Sequence, residues 1–175
     1  MDLFTTKGYA ATSLREIAEA LGINKASLYY HFRSKEDILL SLFEDRGSEA
    51  EELVTWLQDQ PPGPGLLQTA VMRWVGSFSA DKLRGIRFLT ANPLVLRGTD
   101  SAAGDRISAS LTQLVDSLEP LLPSRTGADV VLLRMAILSI NAAVEAAAGT
   151  DIPDQDILDA AHRAANRLLA EIGRS

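Results

Sequence analysis

The sequence of 175 residues contains no cysteine and only two histidines. The first absence excludes a disulfide framework, a thiolate nucleophile and a cysteine-based metal site, and nothing points to an oxidising compartment. His31 and His162 lie far apart in the chain, so we predict no metal site and no cofactor. A reducing cytoplasm is the predicted location.

Export and membrane signals are also missing. The N-terminus, MDLFTTKGYAATS, lacks the basic region and the uninterrupted apolar run of a secretory signal. The most apolar stretch, residues 130 to 149, has the length of a membrane span, but it carries Arg134, Asn141 and Glu145 and is diluted by alanine. We therefore predict a buried helix there and no membrane partner.

Alternating β-branched residues, internal repeats and low-complexity segments do not occur in the sequence. Apolar residues instead recur at helical spacing from Ile38 to Leu57, until PPGPG at 61 to 65 ends that helix. Further helical stripes follow, including one at 130 to 148 and a last one that opens at TDIPDQD. The sequence predicts an all-α fold, with a three-helix head at residues 1–44 and a helical bundle at residues 45–175.

Charge is distributed unevenly along the chain, whose net value is −6. Residues 1 to 35 hold five basic residues against three acidic ones, which gives +2, and the other 140 hold 12 basic and 20 acidic residues, which gives −8. A mildly basic head on an acidic body fits a head that meets a polyanion.

The segment TSLREIAEALGI, residues 12 to 23, has the pattern of a short helix followed by a turn. Ser13 and Glu16 have the spacing of a capping box, which starts a helix at about residue 14. Gly22 supplies the backbone freedom of a tight turn, and Asn24 is a good N-cap for a second helix that begins at Lys25. Two short helices joined by a glycine turn predict a helix-turn-helix.

The second helix, in the stretch LGINKASLYYHFRSKED, explains why an acidic chain carries a basic and aromatic patch. Leu28 and Phe32, one turn apart, are predicted to anchor it to the head. A DNA major groove about 12 Å wide admits such a helix, with its N-terminal residues toward the base edges and its hydroxyls and cations toward phosphates. Tyr29 fits half-buried packing and a phosphate contact through its hydroxyl equally well. Tyr30 is predicted to point straight outward. The outward side carries Lys25, Ala26, Ser27, Tyr29, Tyr30 and His31.

The pattern F-x3-GY-x2-TS-x3-IA-x3-GI-x4-LY-x-HF-x2-K-x2-I, from Phe4 to Ile38, closely resembles the DNA-binding head of tetracycline-repressor-type (TetR-family) transcription regulators. The resemblance implies that the six outward residues of the second helix form the recognition surface. It also implies a phosphate contact for Lys35 and a base contact for Arg15, although Lys35 fits a plain charged helix start as well. Ser13 is predicted to contact the DNA backbone because helix N-termini bind phosphate.

Members of this family usually have a longer first helix, often with a basic arm, where this chain has only Met1 to Thr6. Either the chain lacks its native start or the head packs less completely. This departure supports an alternative, a protein of the same fold that has lost DNA binding and acts through protein contacts.

In the body, aromatic residues at helical spacing with a few polar ones among them are candidates to line a ligand pocket, although each also fits an ordinary structural role. The candidates are Trp74, Phe78, Phe88, Asn92, Asn141 and Glu145. Alanine-rich faces, AAVEAAA and AAHRAA, let helices approach closely, so the last two helices are predicted to form a homodimer interface. The resemblance implies the same arrangement.

Together these features predict a homodimeric transcription regulator that binds a palindromic operator in double-stranded DNA and is released by a small-molecule effector. That the regulator is a repressor is implied by the family resemblance alone. Such dimers bind half-sites about 34 to 36 Å apart. A helical-bundle enzyme is the rival from another class, but the only acidic residue three positions before a histidine is Asp159, before His162. One such pair does not make a di-metal site, so we predict no enzymatic activity.

Overall fold

The computed structural model describes residues 3–4, 7–91 and 101–174. Among these residues it has nine α-helices and no strand, which confirms the predicted all-α fold. The helices are α1 (Leu14–Leu21), α2 (Lys25–His31), α3 (Lys35–Gln58), α4 (Leu66–Gly76), α5 (Ala80–Ala91), α6 (Ser101–Leu118), α7 (Gly127–Ile137), α8 (Ser139–Ala146) and α9 (Asp154–Glu171), with a short 3₁₀ helix at Glu119–Leu121.

The body is a bundle in which α3 packs along α6, and α9 packs against α4, α7 and α8. The apolar faces of these helices meet in one core. Each fully buried leucine or isoleucine contributes roughly 1.5–3 kcal/mol relative to leaving it exposed, so this core holds the bundle together. Its largest fully buried apolar side chains are Leu83, Leu114, Leu118, Leu133, Ile137 and Ile140.

A second, smaller core lies in the head. Ile17 and Ala18 of α1 and Leu28 of α2 are buried there together with Phe4. The fifth buried member is Phe88, which belongs to α5 in the body. Its ring stacks on that of Phe4 with 5.5 Å between centroids and 29° between planes.

The head and the body are also continuous through α3, which passes the predicted boundary at residue 44 without a break. A body helix supplies part of the head core as well. The division at residue 44 therefore stays a prediction.

The predicted helix at 130 to 148 is wrong in one respect, because two helices occupy this segment. α7 ends at Ile137, α8 begins at Ser139, and their axes differ by 60°. The indole N–H of Trp74 on α4 donates to the Ile137 carbonyl at 3.1 Å, so a side chain enters the hydrogen-bond ladder at the bend. A side chain inserted into the hydrogen-bond ladder can kink a helix, and the sequence then carries no proline or glycine that would predict the kink.

Within the described ranges, no single helix is long and apolar enough to cross a membrane. α7 and α8 reach that length and hydropathy only when they are taken together, across their bend.

A buried carboxylate joins the segment after α9 to the first turn of α7. Asp129 accepts hydrogen bonds from the Ser124 hydroxyl and, at 3.1 Å, from the Gly173 amide. These two bonds hold the pKa of the Asp129 carboxyl below its ordinary value. Gly173 has a φ of 77°, and a Cβ placed on it would lie 2.9 Å from Cγ of Pro123. Both its backbone and its neighbour therefore exclude a side chain.

We expect Gly173→Ala to destabilise the fold. A left-handed backbone costs an alanine about 1–2 kcal/mol, which for a chain of this size corresponds to a decrease of roughly 2–8 °C in Tm. Thermal unfolding followed by circular dichroism measures the change. The matched control is Gly127→Ala, because a Cβ at Gly127 meets nothing within 4 Å. An equal decrease in Tm for both variants would contradict this account of Gly173.

Candidate nucleic-acid interface

The N-terminus of α1 is capped as its sequence predicts. The Ser13 hydroxyl accepts from the Glu16 amide, and the Ser13 amide and hydroxyl each donate to the Glu16 carboxylate at 2.8 Å. Lys7 pairs with the other oxygen of that carboxylate. The hydrogen bond from Lys7, followed by those from Ser13, lowers the pKa of Glu16 to about 2.

The turn between α1 and α2 also follows its local signals. Gly22 has a φ of 65°, and its amide donates hydrogen bonds to the carbonyls of Ala18 and Glu19. The Asn24 side chain accepts from the Ala26 amide at 2.9 Å and so caps α2. These two local contacts set the direction in which α2 leaves the turn.

One side of α2 is anchored and the other faces solvent. Leu28 is only 4% exposed, and Phe32 is half-buried against the head core. The Tyr30 side chain is 86% exposed, and its ring meets that of His31 edge to face at 5.2 Å. The outward residues predicted from the sequence are all exposed: Lys25, Ala26, Ser27, Tyr29, Tyr30 and His31.

The positive charge available on this surface is smaller than the count of basic residues suggests. Lys7 is paired with Glu16, and Arg15 donates to Glu19 at 2.7 Å. By contrast, Lys25 and Arg33 form no ion pair with any side chain that the structure describes. These two cations flank the two ends of α2. Arg33 was not among the candidates from the sequence, because its lack of an ion-pair partner among the described side chains is visible only in the structure.

Ser13, Arg15 and Lys35 are each engaged by groups of the head. The Glu16 carboxylate occupies the hydrogen-bonding groups of Ser13, so a phosphate approaching this position would meet a negative charge. Arg15 is exposed beside Glu19. The Lys35 ammonium reaches the Tyr9 carbonyl, 26 positions earlier, at 2.6 Å.

Five of the six predicted pocket residues lie in the described part of the chain, and these five do not form one site. Trp74 and Phe78 lie in the body core with ring centroids 5.8 Å apart, and Asn141 and Glu145 are exposed on α8. Phe88 lies in the head core rather than beside Trp74, because α5 turns that position toward Phe4; this corrects its expected location. Asn92 lies outside the described residues.

Surface clefts in the described part of the chain include two that none of the predicted pocket residues lines. One of about 350 Å³ lies between the start of α4 and the end of α9, beside Leu67, Leu121 and Leu169. The other, of about 200 Å³, lies between α6 and α7, beside Val115 and Arg134. No three acidic or histidine side chains of the described residues are grouped closely enough to hold a metal ion.

These features define a class, an all-helical protein whose small head presents a helix-turn-helix. Residues 1–48 match the family model described as bacterial regulatory proteins, tetR family. This match covers 48 of the 175 residues and confirms the resemblance seen in the first 38.

Curated relatives match stretches of 36 to 64 residues of the chain. Over 42 residues the chain is 55% identical to the uncharacterized HTH-type transcriptional regulator YerO of Bacillus subtilis, a segment that is 24% of this chain and 14% of YerO. It is 38% identical over 64 residues to the regulator AcrR of Shigella flexneri, covering 37% of this chain and 30% of AcrR. It is 58% identical over 36 residues to IcaR of Staphylococcus aureus, a negative regulator of the biofilm operon icaADBC, covering 21% of this chain and 19% of IcaR. The chain thus matches less than a third of each of these relatives.

The whole fold has a solved counterpart. A putative TetR-family transcriptional regulator from Mesorhizobium loti superposes with a TM-score of 0.60, over 97% of this chain and 90% of the other, at 23% identity. The body thus shares the fold of that protein as well as its helical content.

The depressed pKa of Glu16 predicts how the head responds to acid. Because the folded pKa of about 2 lies below the unfolded value of about 4.3, the stabilisation is fully present above the unfolded pKa. It is lost as the pH falls toward 2. We expect Glu16→Gln to be less stable than the parent chain at pH 7, and the difference to close between about pH 5 and pH 2. Chemical unfolding of both proteins at several pH values measures it, and a difference independent of pH would contradict the role of the carboxylate.

Proposed function

We propose that this protein is a transcription regulator that binds double-stranded DNA through the outward face of α2 and represses the genes it controls. The observation that carries the proposal is the Tyr30 side chain, 86% exposed on a helix whose other side is fixed by Leu28. A large aromatic held toward solvent by a rigid anchor is suited to contact a base or sugar. The match of residues 1–48 to the tetR family model supports the same function, and the description of IcaR as a negative regulator supports repression.

Each residue of the face has a chemical role in this proposal. Ala26 is small and lets the start of α2 approach the base edges, while Ser27 and His31 offer hydrogen bonds along one flank. Lys25 and Arg33 supply charge to phosphates on either side. Ser13, Arg15 and Tyr29 remain predicted DNA contacts. To bind DNA, each of these side chains would have to give up its present hydrogen-bond partner or its present packing. This function requires no catalysis, and the relatives named above are regulators.

A homodimer is part of the proposal, because a single recognition helix contacts too few base pairs to be selective. Support comes from an exposed apolar stripe on α7 and its end. Val131, Met135 and Leu138 recur at i, i+4 and i+7 and are 54%, 50% and 44% exposed. The exposed face of α9 nearby is rich in alanine, including Ala160 and Ala164. Two copies that bury these faces would place two heads on a palindromic operator.

Release by a small-molecule effector is the remaining part of the proposal. The link between body and head supports it, since Phe88 joins α5 to the head core, and a shift of α5 would therefore move α1. An effector acts only through its different affinities for the DNA-competent state and the other state. A ligand that saturates the body without changing operator affinity would contradict this step. The cytoplasmic location remains a prediction.

The experiment for DNA binding is selection of bound sequences from random duplex DNA, followed by titration of the selected duplex at several salt concentrations. We expect an inverted repeat whose log affinity falls linearly with log salt. Tyr30→Ala should weaken binding about ten- to hundredfold if the ring makes a good base contact. Tyr29→Ala, a less exposed tyrosine on the same helix, is the matched control and should lose less affinity.

If no sequence is enriched and the protein still folds, the DNA-binding proposal is wrong. The alternative, a protein of this fold that acts through protein contacts, would then be favoured.

The dimer is tested separately, by a charge placed in the stripe on α7. Met135→Asp should convert the dimer to a monomer because two carboxylates would be buried without partners in a symmetric interface. Sedimentation velocity across protein concentration measures the change. Leu21→Asp is the control, since Leu21 is exposed at the end of α1, away from the stripe. A dimer that survives Met135→Asp would place the interface elsewhere.

A further inference from the structure

The side chain of Lys35 is turned inward, toward the turn that precedes α1. Its Nζ lies 2.6 Å from the Tyr9 carbonyl oxygen, 3.2 Å from that of Thr12 and 3.4 Å from that of Ala10. The same nitrogen stands 4.2 Å from the centroid of the Tyr9 ring. A lysine ammonium has three N–H donors, so these three carbonyls account for all of them.

The turn itself explains why a cation is needed. The buried Thr12 hydroxyl donates to the Gly8 carbonyl at 2.8 Å and lies 3.2 Å from the Leu3 carbonyl, so it does not reach the other carbonyls of the turn. The carbonyls of Tyr9, Ala10 and Thr12 converge on one point instead. Without a donor at that point, three partial negative charges would face one another at a half-buried site.

The position of Lys35 in its own helix supports the same conclusion. Lys35 is the first residue of α3, where the helix dipole is positive and a cation is disfavoured. The carbonyls of the turn offset that cost. The contact therefore joins the turn before α1 to the start of α3, from a sequence distance of more than 20 residues.

The turn that Lys35 contacts is continuous with the head core. The Tyr9 ring lies 5.3 Å from that of Phe4 and 5.7 Å from that of Phe88. A displacement of Tyr9 would thus change the packing under α1, and α1 carries α2 through the turn at Gly22.

We propose that Lys35 is a positioning residue of the head, which holds α1 and α2 in place against α3, and that it is not a phosphate ligand. This inference rests on the proposed DNA-binding function and revises the role that the family resemblance implies for this lysine. A phosphate contact would require the ammonium to give up its carbonyl partners.

Salt dependence separates the two roles, because each phosphate contact contributes about 0.9 to the slope of log affinity against log salt. The experiment compares Lys35→Met with Lys25→Met on the selected duplex, at a temperature where both variants are fully folded. We expect Lys35→Met to lose about tenfold in affinity through a misaligned base contact, with an unchanged slope. Lys25→Met should reduce the slope by about 0.9.

Two outcomes with DNA would overturn the proposal. A slope reduced by about 0.9 in Lys35→Met would make it a phosphate ligand. Unchanged affinity and slope would mean that Lys35 contributes to folding alone.

A second measurement does not depend on DNA. Hydrogen exchange of the peptide spanning residues 7 to 14 should become faster in Lys35→Met and stay unchanged in Lys25→Met. If the parent protein binds no duplex, the DNA-binding proposal fails, but hydrogen exchange still tests whether Lys35 holds the turn before α1. Equal exchange in Lys35→Met and the parent chain would overturn it.

Discussion

The stacking of Phe88 on Phe4 is the contact on which the arrangement of head and body depends. A head of about 44 residues has too little interior to close a core of its own. The body supplies the missing side chain from α5, and the ring of Phe88 completes a cluster with Ile17, Ala18 and Leu28. The orientation of the outward face of α2 is therefore not a property of the helix-turn-helix alone, because it depends on where α5 lies.

An adjacent face of α5 makes specific polar contacts with the body. Arg87, the neighbour of Phe88, donates to the carbonyls of Thr150 and Ile152 and to the carboxylate of Asp154 at 2.9 Å. Asp154 opens α9. Adjacent residues of one helix thus connect the head to the start of the helix whose exposed face is proposed to meet a second copy. A single rigid element carries both contacts, so a displacement at either end is transmitted to the other.

Much of α2 could be predicted from the sequence because its determinants are local. The capping box of Ser13 and Glu16, the left-handed Gly22 and the Asn24 cap each act within a few residues of their own position. The outward direction of Tyr30 follows from the helical period once Leu28 is known to be inside. The pocket candidates had no such support, because an aromatic at helical spacing shows which side is buried and not which neighbour it meets.

The sequence by itself determined the helical class, the two helices of the head with their caps, and the composition of the outward face, since propensity, capping and periodicity are short-range effects. Only the tertiary structure decided that Phe88 belongs to the head, that Trp74 enters the bend between α7 and α8, and that Lys35 serves the turn at Tyr9. Each of these contacts joins residues more than 20 positions apart. Their partners are chosen by the packing of whole helices, for which one sequence carries no local signal.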